Sequence, residues 1–95
     1  MNCNAEIKSF ELGERREVTL SVWLADGKEF SIENAEWELS RGTVEQSGLC
    51  NVEYEDNTYK LTALVQPQAR GRYKLTYSFM VADEIIRRTA TIDVV

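Results

Sequence analysis

Apolar residues recur at every second position through most of this chain, and each alternating run ends at a cluster of turn-forming residues. A period of two sends successive side chains to opposite faces of a strand, whereas a helix repeats its apolar positions at intervals of three and four. The chain therefore reads as β from end to end. A first strand is expected over residues 7–12, with a bulge because Ile7 and Phe10 are an odd step apart. Val18, Leu20, Val22 and Leu24 then share one face, with Thr19, Ser21 and Trp23 on the other, and Asp26-Gly27 supplies a turn.

Phe30 and Ile32 resume the alternation, Glu33-Asn34 interrupts it, and Ala35, Trp37 and Leu39 continue it against outward Glu36 and Glu38. Residues 43–46 predict a short strand closed by a turn at Ser47-Gly48, followed by a strand in which Cys50, Val52 and Tyr54 share a face. Glu55-Asp56-Asn57-Thr58 predicts a hairpin loop, after which Tyr59, Leu61 and Ala63 align. A long exposed connection is expected over residues 66–71. Tyr73, Leu75, Tyr77, Phe79 and Val81 form the strongest alternation and predict a central strand. Ala82-Asp83-Glu84 turns it into a last strand with Ala90, Ile92 and Val94 inward, whose end at Val94-Val95 is expected to be an open edge. About seven or eight short strands at this spacing predict a sandwich of two antiparallel sheets.

The 95 residues suit one compact core, so residues 1–95 are read as a single domain with residues 1–6 flexible. No apolar run approaches the ~18 residues of a membrane-spanning helix, and the opening Met1-Asn2-Cys3-Asn4-Ala5-Glu6 has no basic start or apolar stretch of a secretory signal. An intracellular protein or virion component is the expectation. A net charge of -5 argues against nucleic acid as partner, because displacing phosphate counterions takes a cationic surface.

The chain contains no histidine, which removes histidine-based triads, histidine-ligated metals and imidazole acid–base steps. Glu36 and Glu38 read as the solvated side of a strand rather than a catalytic carboxylate pair. Glu53, Glu55, Asp56 and Asn57 gather oxygen atoms, but their spacing matches no calcium loop and a hairpin turn explains Asp-Asn. Glycines occur singly, without a phosphate cradle. No cofactor and no enzymatic activity are expected. Cys50 reads as a small buried hydrophobe, and one bridge between Cys3 and Cys50 is left open.

Two features point to contacts with a partner. Arg72 and Lys74 sit at the start of the central strand, near Arg70, and Arg87 and Arg88 lie on its hairpin neighbour. Ion pairing with acids such as Asp93 or Glu84 is the simpler reading, and a cationic patch for an acidic protein the sharper one. Trp23 stands on an otherwise polar face, either covered by the segment carrying Ile7 and Phe10 or exposed as an anchor for a protein or a sugar.

The run Ala69-Arg70-Gly71-Arg72-Tyr73-Lys74-Leu75 resembles the Gly-x-Tyr-x-Cys corner of immunoglobulin domains, with Leu75 where the cysteine stands. In that resemblance Tyr73 is the corner tyrosine that bonds backbone upstream, Trp37 is the buried core tryptophan, and Leu20 or Val22 replaces the first cysteine. Residues 18–95 are similar to bacterial and phage immunoglobulin-like domains, on Ala35-Glu36-Trp37-Glu38-Leu39, Gly42-Thr43-Val44-Glu45-Gln46-Ser47-Gly48, Gly71-Arg72-Tyr73 and Ile92-Asp93-Val94. With Asp26-Gly27 after the second strand, the layout is also similar to N-terminal domains of phage baseplate upper proteins. The resemblance implies an immunoglobulin-like sandwich serving as a non-enzymatic structural or protein-interaction module, through a protein partner or self-association. The alternative it leaves is a carbohydrate-binding or adhesion domain stacking sugar on Trp23 or a loop tyrosine.

Overall fold

The computed structural model describes residues 1–5 and 9–95. They form nine strands: β1 (Asn2–Ala5), β2 (Ser9–Phe10), β3 (Arg16–Trp23), β4 (Ile32–Arg41), β5 (Thr43–Leu49), β6 (Asn51–Glu55), β7 (Thr58–Val65), β8 (Gly71–Val81) and β9 (Glu84–Val94). One sheet has the order β1-β3-β7-β6 and the other β2-β9-β8-β4-β5. All pairings are antiparallel except β2 with β9. This is the immunoglobulin-like order, strands A, B, E and D facing C, F and G, with extra edge strands β5 beside C and β2 beside G. The described residues contain no helix long and apolar enough to cross a membrane.

The core lies between the sheets and is built by the alternation itself. Val18, Leu20 and Val22 on β3 and Leu61, Ala63 and Val65 on β7 face Ala35, Trp37 and Leu39 on β4, Tyr73, Leu75, Tyr77 and Phe79 on β8, and Ile92 and Val94 on β9. Each large side chain removed from water contributes roughly 1.5–3 kcal/mol. Two tyrosines fasten what they fill. The Tyr77 hydroxyl donates to the Val18 carbonyl at 2.6 Å, joining the sheets through the core. The Ala69 N–H donates to the Tyr73 hydroxyl at 3.2 Å, the backbone bond expected of a corner tyrosine.

Several expectations give way. Asn2–Ala5 is a strand rather than a free end, because Cys3 and Ala5 pair with Val22 and Leu20 and pack against the core. Of the strand expected over residues 7–12, Ser9–Phe10 is strand and Leu12 is in an exposed turn, while Ile7 and the bulge assigned to it lie outside the described residues. The turn at Asp26-Gly27 carries the chain from one sheet to the other instead of closing a hairpin.

Phe30 precedes β4, whose register shifts between Glu33 and Glu36 where Asn34 takes a φ of 53°. Residues 66–71 are less exposed than expected: Pro67 is buried, and the Gln46 side-chain amide donates to the Gln66 carbonyl while its oxygen accepts from the Gln66 N–H. The end of β9 is not an open edge. The Val95 N–H donates to the Phe10 carbonyl at 2.8 Å and the Leu12 N–H to the Val95 carbonyl at 3.2 Å, so the segment carrying β2 covers it.

Ser47-Gly48 is no turn, because β5 runs straight through it to Leu49. Val52 and Tyr54 are inward by register but exposed, since β6 lies at the sheet's edge. Half-buried Cys50 does pack against the core, and Cys3 and Cys50 are both free thiols.

Candidate functional site

The alternation that buries Tyr73, Leu75, Tyr77 and Phe79 sends the intervening residues of β8 to solvent, so Arg72 and Lys74 project from the outer face of the five-stranded sheet. Arg87 pairs in register with Ser78 and projects from the same face. Three of the four residues singled out by their chemistry thus share one surface. The fourth, Trp23, lies on the outer face of the other sheet, half-buried between Asn2 and Thr58 in register. Phe10 does not cover it, because Phe10 belongs to the opposite sheet and is buried in the core.

Register across the five-stranded sheet gives the surface its order. Arg72 and Asp93 lie at one end, followed by Lys74 beside Thr91 and Ser40, then Thr76 beside Thr89 and Glu38, then Ser78 beside Arg87 and Glu36, and finally Met80 beside Ile85 and Glu33. Leu49 continues the Glu36 row and Val44 the Ser40 row on β5. Leu49, Ile85 and Val44 are 78%, 70% and 55% exposed, so three aliphatic side chains stand in water on a face that also carries both signs of charge.

The two ends of that face carry both signs of charge in opposite balance: Arg72 and Lys74 outnumber Asp93 at one, and Glu33 and Glu36 outnumber Arg87 at the other. A groove at one end is lined by Ser40, Arg41, Gly42, Arg72 and Lys74. The Arg72 guanidinium bonds the Asp93 carboxylate at 3.0 Å, and Arg41 meets Glu45 at 3.4 Å. The far end holds Glu33 and Glu36 beside Asn34, Met80 and Ile85. Arg87 pairs at 3.8 Å with Glu38, a partner from β4 rather than Glu84 on its own hairpin. All of these pairs are solvent-exposed and contribute at most about 1 kcal/mol each.

A second feature escapes sequence reasoning because its parts are far apart in the chain. Phe30, in the connection before β4, packs edge-on against Tyr59 with ring centroids 5.0 Å apart, and Tyr59 meets its cross-strand neighbour Tyr54 at 4.5 Å. The rings line a shallow depression with Glu29 and Ser31 on its rim. The Tyr59 hydroxyl donates to the Phe30 carbonyl at 3.0 Å, and the Tyr54 hydroxyl donates to the Asn57 side-chain oxygen at 2.9 Å. The Tyr54 phenol is held above its ordinary value by reduced hydration, then by the Glu29 carboxylate and by Tyr59.

Nucleophilic chemistry finds little support in the thiol that packs against the core. Burial, and secondarily the Glu36 carboxylate, pushes Cys50 up to about 11. Among the described residues, no group of three or more Cys, Asp or Glu could hold a metal ion.

No family model matches this chain, and no curated protein matches it. Solved structures do share its fold. An endo-beta-1,4-mannanase from Thermotoga petrophila is similar with a TM-score of 0.62 at 12% identity, over 98% of this chain and 19% of that one. An engineered protein solved by the Northeast Structural Genomics Consortium is similar with a TM-score of 0.62 at 14% identity, over 99% of this chain and 20% of that one. At this identity the likeness concerns the fold alone, and the chain spans about a fifth of either neighbour's length.

Proposed function

We propose that this protein is a non-enzymatic interaction module that pairs with a second copy of itself through the outer face of its five-stranded sheet. The observation that carries the reading is the opposite balance of charge at the two ends of that face. Arg72 and Lys74 stand at one end, Glu33 and Glu36 at the other, and the aliphatic Leu49 and Ile85 stand exposed toward the acidic end. A two-fold axis lying in the interface and running across the strands lays the basic end of one copy on the acidic end of the other, so every attraction is made twice. The aliphatic side chains then leave water on contact, while the charges set orientation.

Kinship with bacterial and phage immunoglobulin-like structural domains belongs to the same proposal. It is supported by the strand order and by the Tyr73 corner bond.

Analytical ultracentrifugation from micromolar to millimolar protein tests the proposal. The expected result is a dimer that weakens with salt, with Leu49→Lys plus Ile85→Lys, and with Lys74→Glu, and is restored to the Lys74→Glu variant by Glu36→Lys. Trp23→Ala, on the opposite face, leaves the dimer intact. A wild type that stays monomeric over the whole range overturns the reading.

A further inference from the structure

The depression formed by Phe30, Tyr54 and Tyr59 lies between the tip of the β6–β7 hairpin and the connection leading into β4, away from the sheet face discussed above. We infer that it is a binding site for a neutral pyranose sugar, with the sugar's C–H face stacked on Tyr54 and its hydroxyls donating to the Glu29 carboxylate. This inference is independent of the proposed dimer.

Three observations select the ligand. Tyr54 faces inward by register yet remains 44% exposed, so its ring is an apolar surface that the core does not use. Its hydroxyl is fixed by Asn57 and that of Tyr59 by the Phe30 carbonyl, so both rings are held in place before a ligand arrives. Both phenolic protons are therefore already committed, and the Glu29 carboxylate on the rim can only accept.

A proline-rich peptide needs several donors for its carbonyl groups, and with both tyrosine hydroxyls committed Ser31 is the one side-chain donor among the lining residues. An enclosed cage for a quaternary ammonium is also ruled out: at centroid separations of 4.5 and 5.0 Å the rings touch one another and leave no gap for a cation between them. A pyranose ring combines the two properties the site matches, an apolar C–H face and a rim of hydroxyl donors.

Two-dimensional amide NMR on the full chain, titrated with cellohexaose, mannohexaose and xylohexaose as separate probes, tests the inference. Saturable shifts are expected for at least one sugar, concentrated at residues 29–31, 54 and 57–59. Tyr54→Ala is expected to weaken that binding by about fivefold to tenfold, Tyr54→Phe to retain most of it, and Glu29→Gln to weaken it severalfold. The rest of the spectrum reports whether each variant is folded. No saturable shift with any of the three sugars overturns the inference, as does binding unchanged in folded Tyr54→Ala. A response to tetra-arginine in place of the sugars also overturns it, and assigns the site to cations. Because Tyr54 is remote from the Arg72 face, loss of sugar binding with the dimer unchanged separates this outcome from failure of the proposed function.

Discussion

Gly48 lies against the indole of Trp37: a Cβ at Gly48 would sit 3.0 Å from the Trp37 ring nitrogen and 3.1 Å from two of its carbons. The two residues are direct partners across β4 and β5, and the indole is buried, so it has no free direction in which to retreat. Gly48→Ala is accordingly expected to destabilise the protein by about 1–3 kcal/mol, as overpacking of a filled core does. Urea unfolding measures this. A stability change within about 0.3 kcal/mol of wild type would show that β5 can move away from Trp37 without loss.

That contact also explains where the sequence misleads. Ser47-Gly48 looks like a turn because glycine beside serine usually marks one, and only the position of Trp37 across the sheet shows why glycine occupies a strand interior there. The strands β3, β8 and β9 are legible because one face is buried, which imposes a period of two on Val18, Leu20 and Val22, on Tyr73, Leu75, Tyr77 and Phe79, and on Ala90, Ile92 and Val94. The common face of Arg72, Lys74 and Arg87 follows from that same period. The pairing of Arg87 with Glu38 does not, since it depends on which strand lies beside β8. The ring cluster of Phe30, Tyr54 and Tyr59 is still less legible, because one ring comes from outside any strand.

Tyr77 contributes through its oxygen as well as its ring. Tyr77→Phe retains the packing but removes the donor to the Val18 carbonyl, and is expected to lower stability by about 0.5–1.5 kcal/mol. Thermal unfolding of this variant beside Tyr77→Ala separates the parts. The alanine variant also forfeits the ring and is expected to lose roughly 3–5 kcal/mol, as for other large-to-small core changes.

Cys50 is expected to be a poor nucleophile despite its partial exposure. A thiol raised from 9.0 to about 11 carries about a hundredfold less thiolate at neutral pH than an unperturbed one. Because folding favours the protonated form, this contribution to stability is fully present below pH 9.0 and is lost as pH rises through about 11. In a Cys3→Ser background, alkylation at pH 8 is expected to be far slower in the folded protein than in urea, and Glu36→Gln to speed it modestly. Equal rates in the folded and unfolded states would contradict the shift.

Ala82 opens the two-residue turn between β8 and β9 with a φ of 54°, the left-handed region that crowds a Cβ against the backbone. Unlike Asp56 and Asn57, which also take positive φ at the β6–β7 turn, it has no polar side chain with which to bond the local backbone. Ala82→Gly removes the crowding but gives the unfolded chain more freedom, and these effects oppose each other. The left-handed penalty of roughly 1–2 kcal/mol exceeds the roughly 0.5–1 kcal/mol that glycine usually forfeits, so a gain of up to about 1 kcal/mol is expected. Asn at the same position is expected to stabilise as well, because it tolerates this conformation without glycine's entropy. A loss of stability in both variants, measured by urea unfolding, would mean that the turn is not strained at Ala82.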